Sequence, residues 1–227
     1  STQNAQSARD EVAGWLGIDA KQMRLITPDV GGGFGAKIGA DPEFALVVWL
    51  AKQVGRPVRW SETRSENMTG MVQGRAQLQT VTIGGDRDGT VRAYRLDVLQ
   101  DAGAYPRLGA VLPMFTRMMA PAVYDIERVE SRARVLVTNT TSVAAYRGAG
   151  RPEATYAIER AMDALAAKMG VDPLELRKRN YVGADQFPYT AMTGLVYDSG
   201  DHEAALDLAA PVTLAVDRLR RRKRPSG

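Results

Sequence analysis

The sequence predicts an α+β fold, a mixed sheet and hairpin packed with helices. Three observations carry that expectation. Two segments with alternating apolar residues flank Asp88-Gly89, a strong hairpin turn pair. Several helical stripes are bounded by their own start and stop residues. Strands and helices are mixed without a regular βαβ period, which argues against a doubly wound sheet.

A first helix is predicted from Ala5 to Leu16. Ala5, Ala8, Val12 and Leu16 share one face, and Gly17 follows as a stop. A strand is expected over Met23–Thr27. It leads through Pro28 and Asp29 into the run Gly31 to Lys37, which has four glycines in its first five positions. The next helix has Asp41 as N-cap, Pro42 at its first position and Glu43 complementing the dipole. Phe44, Val47, Val48, Ala51 and Val54 form its expected buried stripe, and Gly55 ends it.

A short strand is expected over Val58–Trp60, then the hairpin strands Gln77–Ile83 and Val91–Gln100. Ala133, Val135 and Val137 mark another strand. Pro152 opens a long helix with Ile158, Ala161, Met162, Leu165 and Met169 on its apolar stripe and Gly170 at its end. Asp172 and Pro173 start a further helix reaching about Tyr181. Residues 183–200 read as loop, and the chain is weakly helical from about Glu203. The expected division is 1–202 as one partial domain and 203–227 as a basic tail.

The chain has 227 residues, 44% of them hydrophobic, which is enough for a real core. No apolar stretch is long enough for a membrane span. The chain begins Ser1-Thr2-Gln3 and reads as the middle of something longer. It has no cysteine, so disulfides, Cys-ligated zinc and iron–sulfur ligation by this chain are excluded. Its single histidine, His202, reads as a solvated loop residue and excludes a His-cluster metal site. The formal charge of +4 is concentrated in the stretch from Arg220 to Arg224, and the rest is nearly neutral. The body is therefore not a basic nucleic-acid platform.

The glycine run sits at a strand-to-helix junction, where bare amides suit an anion or a polar cofactor face. It is not a Walker A loop, because Ala36-Lys37-Ile38 stands where Gly-Lys-Ser/Thr is required. A dinucleotide fingerprint needs its helix at once, and this helix starts only at Pro42. By itself the run is equally readable as a tight structural loop.

Other segments keep it company. Gln3 precedes the first helix. The run from Asp101 to Tyr105 ends the hairpin. Tyr146, Arg147, Gly148, Ala149, Gly150 and Arg151 open the long helix, and Asp172 to Asn180 follow. In this order the chain resembles the molybdopterin-binding large subunit of the xanthine dehydrogenase/aldehyde oxidase family, from Ser1 to about Glu203. The Tyr146–Arg151 run is most similar to the carbon-monoxide-dehydrogenase-like branch, form II. True carbon monoxide dehydrogenases carry a copper-holding Cys in this loop, and Gly148 stands at that position. Purine-oxidising members carry Glu and Phe where this chain has Ile38 and Ala149, which disfavours a purine substrate.

The resemblance implies a cytoplasmic molybdenum oxidoreductase. It would oxidise an aldehyde, N-heterocycle or related carbon centre with water-derived oxygen. The implied cofactor is molybdenum–molybdopterin in the cytosine dinucleotide form. FAD and 2Fe-2S clusters are implied on partners, an FAD-binding medium subunit and an iron–sulfur small subunit, in a dimer of heterotrimers. The cofactor-binding residues implied are Gln3, Gly32, Gly33, Phe34, Gly35, Arg147 and Gly148. Gln3 would donate its amide N–H to a molybdenum oxygen, or alternatively cap the first helix. Phe34 would wall off water, or be a core aromatic. Arg147 would stand at the mouth, or form a surface salt bridge. Arg151 is expected to steady the loop or the helix start. Lys37 matches a family lysine without assigned chemistry. Met114, Met118 and Met119 either line the substrate approach or pack in the core, the second being expected.

The family's catalytic glutamate segment and its second set of pterin-binding loops do not occur in this sequence. No catalytic residue and no protein metal ligand is therefore assigned. The other reading is an inactive truncated remnant or a non-catalytic structural or binding module.

Overall fold

In the computed structural model, which describes residues 1–211, the chain divides into two units. The first comprises Ser1–Gln77, Gln100–Pro113 and Arg134–Gly150, and the second Leu78–Leu99, Met114–Ala133 and Arg151 onward. The basic run Arg220 to Arg224 lies outside the described residues.

In the first unit, helix α1 (Ala5–Leu16) begins where the Asn4 side chain accepts from the Ser7 N–H. It ends at Gly17, whose φ of 65° closes the last turn. Its buried face (Ala8, Val12) meets Ala40, Leu16, Met23, Leu25, Phe44 and Ala45 in a small apolar cluster. The Met23–Thr27 segment is extended but belongs to no strand. Its alternation places Met23 and Leu25 on the cluster, and among the described residues no neighbouring strand supplies a ladder.

Helix α2 spans Pro42–Val54, with Pro42 at its start and Gly55 at its end. Asp41 occupies the N-cap position without a capping bond, and its carboxylate faces the Arg107 guanidinium at 3.5 Å instead. The expected stripe is only half realised. Phe44, Val47 and Ala51 are half-buried, while Val48 and Val54 are exposed. The helix is apolar on all sides from Phe44 to Ala51, and α1 covers one of them. The expected strand Val58–Trp60 is likewise irregular. It leads to a short helix, α3 (Arg64–Gly70), held by a capping box between Thr63 and Glu66.

Strands β1 (Gln77–Gly85), β2 (Val91–Asp101) and β3 (Arg128–Leu136) form one sheet in that order. Gly89, at φ 95°, completes the β1–β2 turn and donates to the Asp86 carbonyl. In the second unit, Tyr94, Leu96 and Val98 are buried as their alternation predicts. On β3 the half-buried positions are Val129 and Ser131. Val135 is exposed, and Val137 lies beyond the strand at 64% exposure, because β3 is an outer strand of the sheet. Helix α4 (Leu112–Met118) follows β2 in the chain. Within it Met114 is 50% exposed, so it does not pack in the core, whereas Met118 and Met119 are half-buried.

Helix α5 (Arg151–Met169) buries Ile158, Ala161 and Met162 against Tyr94, Leu96, Tyr124 and Ile126. Helix α6 (Pro173–Asn180) is capped by Asp172, which accepts from the Leu174 and Glu175 N–H groups. Residues 183–200 are not wholly loop. They contain a two-residue antiparallel pair, β4 (Tyr189–Thr190) with β5 (Val196–Tyr197), too short to show alternation. Residues 202–211 form a last helix, α7. His202 at its start is half-buried rather than solvated, its ring 5.8 Å from those of Tyr181 and Phe187.

A buried polar key ties α6 to the hairpin. Asn180 Oδ1 accepts from the Val91 N–H at 2.7 Å, and Nδ2 donates to the Gly89 and Leu176 carbonyls. Asn180→Ala orphans these groups in a dry site and is expected to cost about 2–4 kcal/mol, read by urea denaturation. A pH effect is expected from Asp101 in the first unit. Its carboxyl is held below the ordinary 3.8, first by the Gly103 N–H and then by the Thr138 hydroxyl. The ionised group therefore favours the folded state above 3.8, and this contribution is lost as pH falls through its lowered folded value. Asp101→Asn removes that part of the acid sensitivity in denaturation series taken down through the carboxylate range.

Candidate functional site

The site lies in the first unit, and its frame is backbone. Thr2 is buried and donates its hydroxyl to the Lys37 and Gly39 carbonyls at 3.1 and 2.9 Å. The Gln3 N–H donates to the Lys37 carbonyl at 2.8 Å. The Gln3 side chain turns into the glycine loop, where its Oε1 accepts from the Gly35 N–H at 2.7 Å and the Lys37 N–H at 3.3 Å. Two backbone donors fix that end of the amide as oxygen, leaving Nε2 as a pure donor. Helix capping is done by Asn4 and not by Gln3.

Glycine is required where the loop passes its neighbours. A Cβ on Gly33 would lie 2.3 Å from Gln3 Cγ. A Cβ on Gly35 would lie 2.8 Å from the Ala145 carbonyl oxygen, on a residue whose φ is already 96°. Lys37 Nζ donates back to the Val30 carbonyl at 3.4 Å, so this lysine closes the loop's entrance. The N–H groups of Gly32, Gly33 and Phe34 donate to nothing among the described residues. Within the run the amides of Gly31 to Phe34 are free among the described residues, whereas those of Gly35 and Lys37 are spent on Gln3.

Phe34 sits at φ 52° and is 55% exposed, so it is not a core aromatic. Its carbonyl accepts from the Arg147 N–H at 2.7 Å, and the Arg147 guanidinium lies 5.3 Å from its ring centre. Arg147 has no salt bridge among the described residues, and its partner is the aromatic face. Gly148, at φ 104°, carries the loop onward, and the Ala149 N–H closes a turn on the Tyr146 carbonyl. The structure thus brings Gln3, Gly32 to Gly35 and Arg147 to Gly148 into one patch. In the second unit, Arg151 opens α5 with its guanidinium 4.9 Å from the Phe115 ring centre.

Sequence reading missed Thr2 and Arg75. The Arg75 guanidinium donates to the Tyr146 carbonyl at 2.8 Å and to the Arg147 carbonyl. Nothing in its sequence neighbourhood signals a partner some seventy positions away.

Free amides, an amide donor and a guanidinium present donors only, which suits an oxygen-rich or anionic group. No group of three His, Asp or Glu able to hold a metal occurs among the described residues, so a metal here would arrive with ligands of its own. The chemistry of this donor set fits an oxygen-bearing metal cofactor.

A model of the molybdopterin cofactor-binding domain family matches residues 1–181. The carbon monoxide dehydrogenase large chain of Hydrogenophaga pseudoflava is 34% identical over 91% of this chain and 26% of its own. The nicotine 6-hydroxylase large subunit of Paenarthrobacter nicotinovorans is 37% identical over 85% of this chain and 24% of its own. The crystal structure of quinoline 2-oxidoreductase from Pseudomonas putida 86 superposes with a TM-score of 0.90 at 32% identity, covering 96% of this chain and 28% of that one. The chain belongs to the molybdopterin-binding large-subunit family of xanthine dehydrogenase and aldehyde oxidase. It spans about a quarter of the length of these relatives.

Gly33→Ala is expected to expel the Gln3 side chain and free the Gly35 and Lys37 amides, at about 1–3 kcal/mol. Amide hydrogen exchange at those two positions measures it. Gly31→Ala meets no atom within 4 Å and carries only the strain of its φ of 68°, so it leaves both amides protected.

Proposed function

We propose that this chain forms one wall of the molybdenum–molybdopterin site of a hydroxylase acting on an aldehyde, an N-heterocycle or a related carbon centre. The observation that carries the reading is the set of unpartnered N–H groups at Gly32, Gly33 and Phe34 beside the Gln3 Nε2 donor. Named relatives include an aldehyde oxidoreductase, a nicotine hydroxylase and a quinoline oxidoreductase, which supports this substrate class. Ile38 and Ala149 stand where purine-oxidising members carry Glu and Phe, which points away from purines.

When bound, the cofactor supplies a Lewis-acidic metal and the water-derived oxygen of the hydroxylation. The chain's own residues bind and orient. The Gly32–Phe34 amides and Gln3 Nε2 donate to its oxygens, with no reorganisation because Gln3 Oε1 is already anchored. Phe34 screens the site from water, and Arg147 holds that ring and the loop's mouth. The Gly148 backbone faces the cofactor. The base that takes the proton lies elsewhere in the enzyme, since this sequence lacks the family's glutamate segment.

In this reading residues 1–202 are the N-terminal half of the cofactor domain. The pterin is the cytosine dinucleotide form. FAD and 2Fe-2S clusters reside on a medium and a small partner subunit, in a cytoplasmic dimer of heterotrimers, and nucleic acid plays no part. Among the described residues no helix is long and apolar enough to cross a membrane.

Elemental analysis tests the reading. The chain, co-produced with the rest of its large subunit and a cofactor-maturation system, is expected to retain molybdenum. Gln3→Glu keeps an acceptor for Gly35 but removes the amide donor, and is expected to cut retention roughly tenfold with little change in melting. A wild-type complex that stays metal-free overturns the proposal.

A further inference from the structure

We propose that Arg75 is the positioning residue for the Arg147 loop, an inference that rests on the cofactor site proposed above. Arg75 is not itself one of the implied cofactor-binding residues, but it bonds the carbonyl of one of them, Arg147. It acts on the backbone that presents them.

The segment before it is laced to the loop's approach. Gln73 pairs in parallel with Val143, its N–H donating to the Ser142 carbonyl and its carbonyl accepting from the Ala144 N–H. Gly74 then passes so close to Tyr146 that a Cβ there would lie 2.6 Å from the Tyr146 Cβ. Arg75 itself takes a φ of 62°, a backbone conformation that side-chain-bearing residues rarely adopt. That turn sends its guanidinium back over the Tyr146 ring, 5.0 Å from its centre. From there its planar fork donates to two consecutive carbonyls, those of Tyr146 and Arg147.

Consecutive carbonyls held by one rigid fork fix the orientation of the peptide between them. That orientation decides where the Arg147 N–H points, and this N–H makes the 2.7 Å bond to Phe34. Arg75 therefore sets the spacing between the Arg147 loop and the glycine loop. A lysine has the charge but no fork, so it satisfies one carbonyl at a time. Left-handed strain at a non-glycine residue persists where the surroundings impose it, and here the two carbonyls and the ring impose it.

Amide hydrogen exchange in the 227-residue chain tests this without any cofactor. In Arg75→Ala the Arg147 and Ala149 amides are expected to exchange about tenfold faster, the equivalent of one charge-assisted hydrogen bond at about 1.5 kcal/mol. Amides of Val12 and Ala13 in α1 stay unchanged. Arg75→Lys falls between the two, and guanidinium ion added below denaturing concentrations restores protection to the alanine variant. Unchanged exchange at Arg147 and Ala149 overturns the proposal, and so does a uniform rise that includes α1. A metal-free wild-type complex sinks the cofactor reading and leaves the exchange result standing. A wild type that retains molybdenum, with no exchange change in Arg75→Ala, sinks the Arg75 inference alone.

Discussion

The candidate site depends on backbone approaching backbone without a Cβ in the way. At Gly33 the Gln3 side chain lies on the α-carbon, and at Gly35 the Ala145 carbonyl does. A methyl at either place moves one wall of the patch. Once the three segments have closed, their amides are sorted by geometry. Those of Gly35 and Lys37 are spent on Gln3, and those of Gly32 to Phe34 are left to face outward bonding. A loop of identical bare amides thus becomes a structural part and a binding part, divided by one glutamine side chain.

The same economy of side chains recurs around the patch. Thr2 and Lys37 each serve carbonyls of the loop's flanks. Arg147 and Arg75 each lie over an aromatic ring, Arg147 bonding through its backbone N–H and Arg75 through its guanidinium. Charged groups here work as donors to carbonyls and as partners to π faces, which leaves the patch rich in donors and free of carboxylates. In the second unit, by contrast, a conventional apolar cluster of Tyr94, Leu96, Ile158 and Met162 supplies the stability, with Asn180 as a buried polar tie to the hairpin.

Much of this was legible in the sequence because the signals are local. Gly17, Pro42, Gly55, Asp172 and Gly170 mark helix ends by chemistry that acts within one turn, whereas sequence reading missed the Asn4 cap of α1 and offered Gln3 in its place. Asp88-Gly89 fixes the hairpin, and alternation on β2 marks its buried face. The α3 capping box, Thr63 with Glu66, was equally local and readable, although the helix it starts has no apolar stripe to advertise it. Alternation misled where nothing paired with it. Met23–Thr27 is extended with no strand beside it, and Val135 and Val137 are exposed at the sheet's outer edge. On α2 the apolar run from Phe44 to Ala51 has no single stripe, so no periodicity identifies the side that α1 covers.

By itself the sequence determined the helices α1, α2, α5 and α6, the β1–β2 hairpin, the glycine loop, the absence of cysteine and the family, because each rests on residue identity or on order along the chain. It also named Gln3, Phe34 and Arg147 through the company they keep. Only the tertiary structure decided what those residues do to one another: that Gln3 clamps the loop through its oxygen, that Phe34 stands out from the core, and that Arg147 rests on it. Arg75 belongs wholly to that second kind. Its partners lie 71 and 72 residues away and are carbonyl oxygens, which every residue carries alike, so no sequence pattern records the bond.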